Sequence, residues 1–198
     1  MNPSAVADKH AAHTPLRRCG KRHAKGHDEG IVSVRVIKVG SNSQAAMRIG
    51  IISDTHGLLR PEAVARLAGV HHIIHAGDIG HPEVIAGLRK IAPTTAIRGN
   101  VDTGEWASAY PTTARVALGG RSIFVLHNRN ELGLEPAAAG IDVVVSGHSH
   151  RAKIETVDGV LYLNPGSAGP RRFSLPIALA TLELGRRAMR AQVHEIPA

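Results

Sequence analysis

Five short apolar runs, each followed at once by polar side chains, constrain this sequence more than any other feature. The runs GIIS, HHIIHAG, TTAIRG, SIFVL and VVVSG are followed by DTHG, D, NVD, HN and HSH in that order. Ligands of open α/β sheets bind beyond the carboxyl ends of the strands, so we expect these polar residues to meet at one edge. The sequence therefore predicts strands that carry functional groups at their carboxyl ends.

The order of the apolar and amphipathic segments predicts the fold class. From residue 48 the pattern is strand, helix, strand, helix, strand, with helices around PEAVARLA and PEVIAGLRKI, and this pattern favours parallel pairing. Further strands are predicted at TARVAL, RSIFVLH, DVVVSG, AKIETVDGVLYLN, IALATLEL and RAQVHEI, with a short helix near EPAAAG. We predict a layered α/β sandwich with its helices outside.

Residues 1–46 differ in composition from the remainder of the chain. They contain eight Lys and Arg against three Asp and Glu, and thus account for most of the net charge of +8. We predict a basic, disordered extension over residues 1–46 and one folded domain over 47–198, although IVSVRVIKVG at 31–40 alternates as a strand does. A solvated tail is favoured over a nucleic-acid contact because the extension has no aromatic side chain to stack on a base.

Cysteine content and hydropathy predict the cellular compartment. Cys19 is the single cysteine, so no intramolecular disulfide can form, as is typical of a reducing compartment such as the cytoplasm. The sequence has no apolar run of about 18 residues and no apolar segment typical of a secretory signal near its first residue, so no membrane association is predicted.

The candidate ligands in these polar clusters are carboxylates, imidazoles and one amide, which bind divalent metals. One tetrahedral ion takes about four ligands. Seven candidates therefore indicate two ions that share a carboxylate, for which Asp78 is the best placed because it stands alone after a glycine. The seven candidate ligands are Asp54, His56, Asp78, Asn100, His127, His148 and His150.

The ordered motifs D-x-H-G, G-D, G-N-x-D, H and G-H-x-H resemble those of the calcineurin-like metallophosphoesterase superfamily, and most of all its small bacterial and archaeal phosphodiesterases. The resemblance covers residues 47–198, including NPGS at 164–167. It implies an α/β fold, a layered α/β/β/α sandwich of two mixed sheets flanked by helices. It also implies a first metal on Asp54, His56, Asp78 and His150, and a second on Asp78, Asn100, His127 and His148.

The resemblance further implies a dinuclear-metal phosphoesterase that hydrolyses a phosphodiester or small phosphomonoester by attack of a metal-bridging hydroxide. The expected cofactors are two divalent ions, with Mn²⁺ first and Ni²⁺, Fe or Zn²⁺ as alternatives. Asp54, His56, Asp78, Asn100 and Asp102 would be the catalytic residues.

Two departures from the family pattern concern the turn after His127 and the leaving group. Asn128 follows His127 where glycine is usual, and Asn tolerates left-handed backbone. Val101 stands where larger phosphatases of the superfamily carry a histidine that assists the leaving group. Asp102 and a metal-bound water are the remaining candidates for that role.

Three arginines are candidates for phosphate contacts. Arg129 follows a ligand histidine by two residues and is predicted to bind substrate at the rim, whereas ordinary surface charge is favoured for Arg171 and Arg172. His71, His72, His75 and His81 are interpreted as structural.

Two alternative functions use the same fold. A protein-interaction scaffold, as in a retromer subunit of the superfamily, is disfavoured because the ligand set is complete. A nuclease is disfavoured because residues after 150 leave no room for a capping domain. No oligomeric state is predicted.

Overall fold

The structure, a computed structural model, describes residues 46–172 and 174–197. The predicted strand at 31–40, and all but the last residue of the predicted extension, lie outside the described residues. The α-helices are α1 (Pro61–Leu67) and α2 (Pro82–Arg89), and 3₁₀ helices lie at Glu105–Ala109 and Arg129–Glu131. The strands are β1 (Met47–Ile52), β2 (His72–Ala76), β3 (Thr94–Ile97), β4 (Thr113–Leu118), β5 (Arg121–Leu126), β6 (Val143–Val145), β7 (Lys153–Val157), β8 (Val160–Asn164), β9 (Ala178–Leu184) and β10 (Met189–Glu195).

The first sheet has the order β10-β9-β1-β2-β3. β1, β2 and β3 are parallel, as the alternation of strands and helices predicts, and β9 and β10 extend the sheet in antiparallel pairing. Each connecting helix begins with proline, at Pro61 and Pro82, where the missing N–H would have no helical partner. The parallel half of this sheet brings three carboxyl ends to one edge.

The second sheet has the order β4-β5-β6-β8-β7 and is also mixed. β5, β6 and β8 are parallel, whereas β4 and β7 pair antiparallel at the two edges. The β7–β8 hairpin turns at Asp158 and Gly159, both at positive φ, as the Asp-Gly pair predicts. Two mixed sheets are therefore confirmed.

The main core lies between the two sheets. Ile51 and Ile74 of the first sheet and Val125 and Val143 of the second are fully buried in one aliphatic cluster. A second cluster packs α1 and α2 on the other face of the first sheet, where Ile73 meets the helices. Burial of each such side chain contributes about 1.5–3 kcal/mol, which holds the sheets firmly enough to fix the loops at their edge.

The outer face of the second sheet is covered mainly by a connecting segment. Leu132 and Leu134 pack there, and within residues 129–141 only the 3₁₀ turn at Arg129–Glu131 is helical. The predicted helix near EPAAAG is wrong, because that stretch forms consecutive turns in which the Ala139 N–H donates to the Glu135 carbonyl. Gly140 has a φ of 65°, so the stretch ends too soon for a helix to propagate.

No helix among the described residues is both long enough and apolar enough to cross a membrane.

Candidate metal centre

The backbone keeps the loops beyond β1 and β2 in register. The Asp54 N–H donates to the Gly77 carbonyl over 3.0 Å, and the His56 N–H donates to the Asp78 carbonyl over 3.0 Å. In the second sheet, the Gly147 N–H donates to the His127 carbonyl over 3.0 Å. The ladders thus continue past the strand ends and place the polar clusters of neighbouring strands side by side.

The first predicted ligand group comes together in the structure. Asp54, His56, Asp78 and His150 each offer one ligand atom, and these atoms all lie within 4.8 Å of one another. His150 Nε2 lies 3.2 Å from Asp54 Oδ1 and 3.3 Å from His56 Nε2. Such a convergence of two carboxylates and two imidazoles is suited to holding a divalent cation.

Of the second predicted group, His127 lies against Asp78, and His148 lies beside His127. His127 Nε2 is 3.3 Å from Asp78 Oδ1, and the rings of His127 and His148 meet edge to face with centroids 5.3 Å apart. Asn100 is exposed, and its side chain makes no hydrogen bond to the described residues, but the N–H of the next residue, Val101, donates to Asp78 Oδ1. Asp78 therefore lies between the two groups.

Asp78 is held as a carboxylate. Burial alone would raise its pKa, but the adjacent His127 ring and the hydrogen bond from the Val101 N–H outweigh burial and lower the pKa to about 2. An anionic Asp78 offers both oxygens as ligands, as a bridging position requires.

Several buried ligand atoms have no hydrogen-bond partner among the described residues. Asp54 is completely buried, yet neither of its carboxylate oxygens accepts a hydrogen bond, and His150 Nδ1 and His127 Nε2 are also unpartnered. Leaving a charged group buried and unpaired is costly. A cation coordinated by these atoms would remove that cost, so the residues fit a metal.

The orientation of His127 favours the same interpretation. Its Nδ1 lies 2.8 Å from the Ala76 carbonyl oxygen, which requires a proton on Nδ1. In a neutral ring the Nε2 lone pair then faces Asp78 Oδ1, and two acceptors 3.3 Å apart repel unless a proton or a cation lies between them. Burial lowers the pKa of His127, but its partners Asp78 and Ala76 outweigh burial and raise it.

Strained backbone is concentrated at this site. Among the described residues, six other than glycine have positive φ, and five of them are predicted ligands. Each such conformation costs roughly 1–3 kcal/mol and persists where the surrounding structure imposes it, which occurs mainly at functional sites. The sixth is Asp158 in the hairpin turn, and the five are Asp54 (54°), His56 (46°), Asp78 (54°), His148 (65°) and His150 (56°).

His75 belongs to a chain of hydrogen bonds that connects two of the ligand-bearing loops. The Gly77 N–H donates to His75 Nδ1 over 3.2 Å, so the ring carries its proton on Nε2 and donates to Thr55 Oγ1 over 2.9 Å. Thr55 in turn donates to the Ile79 carbonyl. The chain of bonds joins the loop bearing Asp54 and His56 to the loop bearing Asp78, in keeping with the structural role predicted for His75.

We expect the stability of the protein to depend on pH through His75. Burial lowers the pKa of His75 from 6.5 to about 4, so the unfolded chain binds a proton more readily. The contribution of the neutral His75 ring to the free energy of unfolding is fully present above pH 6.5 and is lost as the pH falls towards 4. The expected loss is about 3 kcal/mol. Urea unfolding between pH 7 and pH 4 measures it, and His75→Gln should flatten the slope.

His81→Gln is the matched control for that experiment, because His81 is largely exposed. An unchanged slope in His75→Gln would contradict the assignment of a buried neutral ring.

Asp102, predicted as catalytic, joins two loops through backbone hydrogen bonds. Its carboxylate accepts from the N–H groups of Ile79 (3.0 Å), Gly80 (2.8 Å) and Gly99 (2.7 Å), and it is only 4% exposed. Both oxygens are occupied by donors, which favours a positioning role over protonation of a leaving group.

The NPGS segment braces the ligand loops in a way the motif alone did not indicate. Asn164 Nδ2 donates to the Gly147 carbonyl over 2.7 Å, and Ser167 Oγ donates to the Asp54 carbonyl over 3.0 Å. These bonds hold the loops that carry His148 and Asp54. Their signal in the sequence was a polar pair at the end of a predicted strand, which resembles an ordinary turn.

The three candidate arginines occupy two sides of the site. Arg129 pairs with Glu155, and its guanidinium carbon lies 4.2 Å from the centre of the Tyr162 ring. Arg171 and Arg172 are exposed and line a small cleft together with His150. Burial and then the charge of Arg172 lower the pKa of His56, which places that charge near the first ligand group.

A family model and known relatives identify the family of this chain. Residues 47–187 match the calcineurin-like phosphoesterase superfamily domain, so the chain belongs to that family. A probable metallophosphoesterase of Methanothermobacter thermautotrophicus is 32% identical over 145 residues, which cover 66% of this chain and 82% of the relative. The predicted membership of the calcineurin-like metallophosphoesterase superfamily is confirmed.

Two solved structures share the fold. The solved structure of a novel archaeal phosphodiesterase has a TM-score of 0.63 at 28% identity, and the match covers 75% of this chain and 100% of that one. Vacuolar Protein Sorting 29 from Cryptosporidium parvum has a TM-score of 0.62 at 17% identity, with 78% of this chain and 100% of its own covered. The second likeness concerns the fold alone.

Proposed function

We propose that this chain is a phosphodiesterase that uses two divalent metal ions. The observation that carries the proposal is the arrangement of two histidine-containing ligand groups around Asp78, with five of the ligands held at positive φ. Asp54, His56 and His150 would hold one ion with Asp78, and Asn100, His127 and His148 would hold the other with the same carboxylate.

Each protein group has a distinct part in this proposal. When bound, divalent ions at such a site lower the pKa of water to give a nucleophile near neutral pH, and they offset negative charge on the phosphate. Asp78 remains ionised and would be shared by the two ligand groups. The pKa of His56 is lowered, mainly by burial, which keeps its ring neutral for metal binding. Arg172 would add positive charge on the side of His56.

The types of donor atom at the site limit the choice of metal. Mixed imidazole and carboxylate ligands suit Mn²⁺, Fe, Ni²⁺ and Zn²⁺, and we propose Mn²⁺ as the first to test.

A cytoplasmic location is proposed because a single cysteine fits a reducing compartment. A small phosphoester is the proposed substrate, consistent with the archaeal phosphodiesterase among the structural neighbours.

A non-catalytic scaffold is the second candidate, because Vacuolar Protein Sorting 29 has the same fold. A scaffold does not need buried carboxylate oxygens without partners, whereas Asp54 has two of them among the described residues. This difference favours the enzyme.

Hydrolysis of bis(p-nitrophenyl) phosphate beside p-nitrophenyl phosphate tests the proposal. The protein is stripped with a chelator and reloaded with each divalent ion in turn. We expect hydrolysis only after reloading, and faster turnover of the diester. Metal binding without hydrolysis of either ester would favour the scaffold instead.

We expect a chain that starts at Met47 to retain full activity. Met47 is the first residue of β1 and pairs with Leu184 of β9, and every proposed ligand lies after it. The basic extension would add only salt-screened attraction to anions. The measurement is kcat, metal content and Tm for both chains at low and moderate salt, and an insoluble or metal-free short chain would place part of the domain before residue 47.

A further inference from the structure

A cavity of about 430 Å³ adjoins the second ligand group. It lies between the β7–β8 hairpin and the loops that follow β5 and β6, and His148 and Gly147 form part of its wall. Its size is within the range in which proteins hold small organic ligands. A substrate whose phosphorus lies at the ligand groups could therefore extend one substituent into this cavity.

The cavity wall carries an excess of positive charge. Arg129, Arg151 and Lys153 line it, and Glu155 is the acidic residue among its lining side chains. Arg129 and Lys153 both pair with Glu155, whereas the exposed Arg151 side chain makes no ion pair or hydrogen bond with any described residue. Three cations against one carboxylate leave this wall suited to an anion.

The orientation of Arg129 adds to this argument. Its guanidinium lies over the Tyr162 ring and pairs with Glu155, so it is held in place before any ligand arrives. A guanidinium that is already positioned loses less conformational entropy when it binds phosphate oxygens. Ser149 and Asn128 add hydrogen-bonding groups to the same wall.

We propose that this cavity binds a second phosphate group of the substrate. That group is carried by one of the two substituents of the phosphodiester. The inference rests on the proposed function, and it names the substrate class: a phosphodiester in which one substituent is itself phosphorylated. Arg129 and Arg151 contact that phosphate and determine specificity, while the reacting phosphate lies at the ligand groups.

Direct binding tests this proposal without relying on turnover. The dissociation constants of thymidine 3′,5′-bisphosphate and thymidine 5′-monophosphate are measured by calorimetry on the metal-loaded protein. We expect the bisphosphate to bind about tenfold more tightly, since a charge-assisted contact is strong. The ratio should fall to about one in Arg129→Gln/Arg151→Gln and by about threefold in Arg151→Gln alone.

The matched control removes two positive charges elsewhere. Arg186→Gln/Arg187→Gln alters exposed residues in the turn between β9 and β10 and should keep the tenfold ratio. Equal affinities for the two nucleotides in the unaltered protein would overturn the proposal. So would a tenfold ratio that survives in the Arg129 and Arg151 double variant.

Turnover separates this inference from the proposed function. Thymidine 5′-(p-nitrophenyl phosphate) is compared with the same diester carrying a 3′-phosphate. We expect the phosphorylated diester to have the higher kcat/KM, by about tenfold. Equal hydrolysis of both overturns the cavity assignment alone, and no hydrolysis of either overturns the proposed function and the substrate class with it.

Discussion

Replacing Asp78 with asparagine is expected to abolish hydrolysis and to weaken metal binding at both groups while the domain stays folded. Asp78 is the carboxylate that lies within reach of both His56 and His127. Asparagine has nearly the same shape and can still accept the Val101 N–H, so the fold should persist, but it lacks the charge that holds two cations. We expect kcat to fall by about 10³-fold or more.

Asp158→Asn is the matched control for this variant. Asp158 also has positive φ, at 50°, but it lies in the exposed hairpin turn away from the ligands. It should retain full activity and metal content. Turnover near that of the unaltered protein in Asp78→Asn, with two ions still bound, would contradict the shared-ligand assignment.

Replacing Gly80 with alanine is expected to have the second largest effect. Gly80 has a φ of 80°, and a Cβ there would lie 2.4 Å from the Gly57 nitrogen and 2.4 Å from the His56 carbonyl carbon. Backbone atoms cannot move aside as a flexible side chain does, so the loop carrying His56 must shift. We expect a loss of about 3 kcal/mol in unfolding free energy and weaker binding of the first metal.

Gly69→Ala is the control that separates the cost of positive φ from the cost of the steric clash expected at Gly80. Gly69 has a similar φ of 75°, but a Cβ there would meet nothing within 4 Å. We expect it to cost about 1 kcal/mol and to leave activity unchanged. Urea unfolding and metal titration of both variants measure the difference, and equal costs would show that the contact with His56 and Gly57 is not restrictive.

Much of the fold could be predicted from local patterns. The βαβαβ half follows from alternating apolar periods, and β4 coincides with the predicted TARVAL run. The hairpin follows from Asp158 and Gly159, whose φ preferences are set by residue type. Local chemistry determines these features, so no tertiary knowledge is needed to predict them.

The failure at EPAAAG has both a local and a tertiary cause. Its alanines favour a helix, but the stretch is confined between Pro136 and Gly140, and the segment of which it is part covers the outer face of the second sheet through Leu132 and Leu134. Packing of those partly buried leucines, together with the short span between Pro136 and Gly140, opposes the helix propensity of the alanines.

The sequence shows which polar residues follow the strands, but it does not show which hydrogen bonds hold them in place. Polar residues after strands are visible in any sequence, whereas the bond from Ser167 to the Asp54 carbonyl joins residues 113 apart. The same applies to Asp102, which accepts hydrogen bonds from Ile79 and Gly80 in the loop after β2. A motif indicates which residue types are present and leaves undetermined what their atoms contact.

Titrating the metal-stripped protein with Mn²⁺ while following hydrolysis of bis(p-nitrophenyl) phosphate tests the central claim most directly. If two ions share Asp78, activity should rise with added metal and reach its plateau at two equivalents per chain, with the same number of ions found bound after dialysis. A plateau at one equivalent, or two bound ions without hydrolysis, would contradict the proposed dinuclear phosphodiesterase.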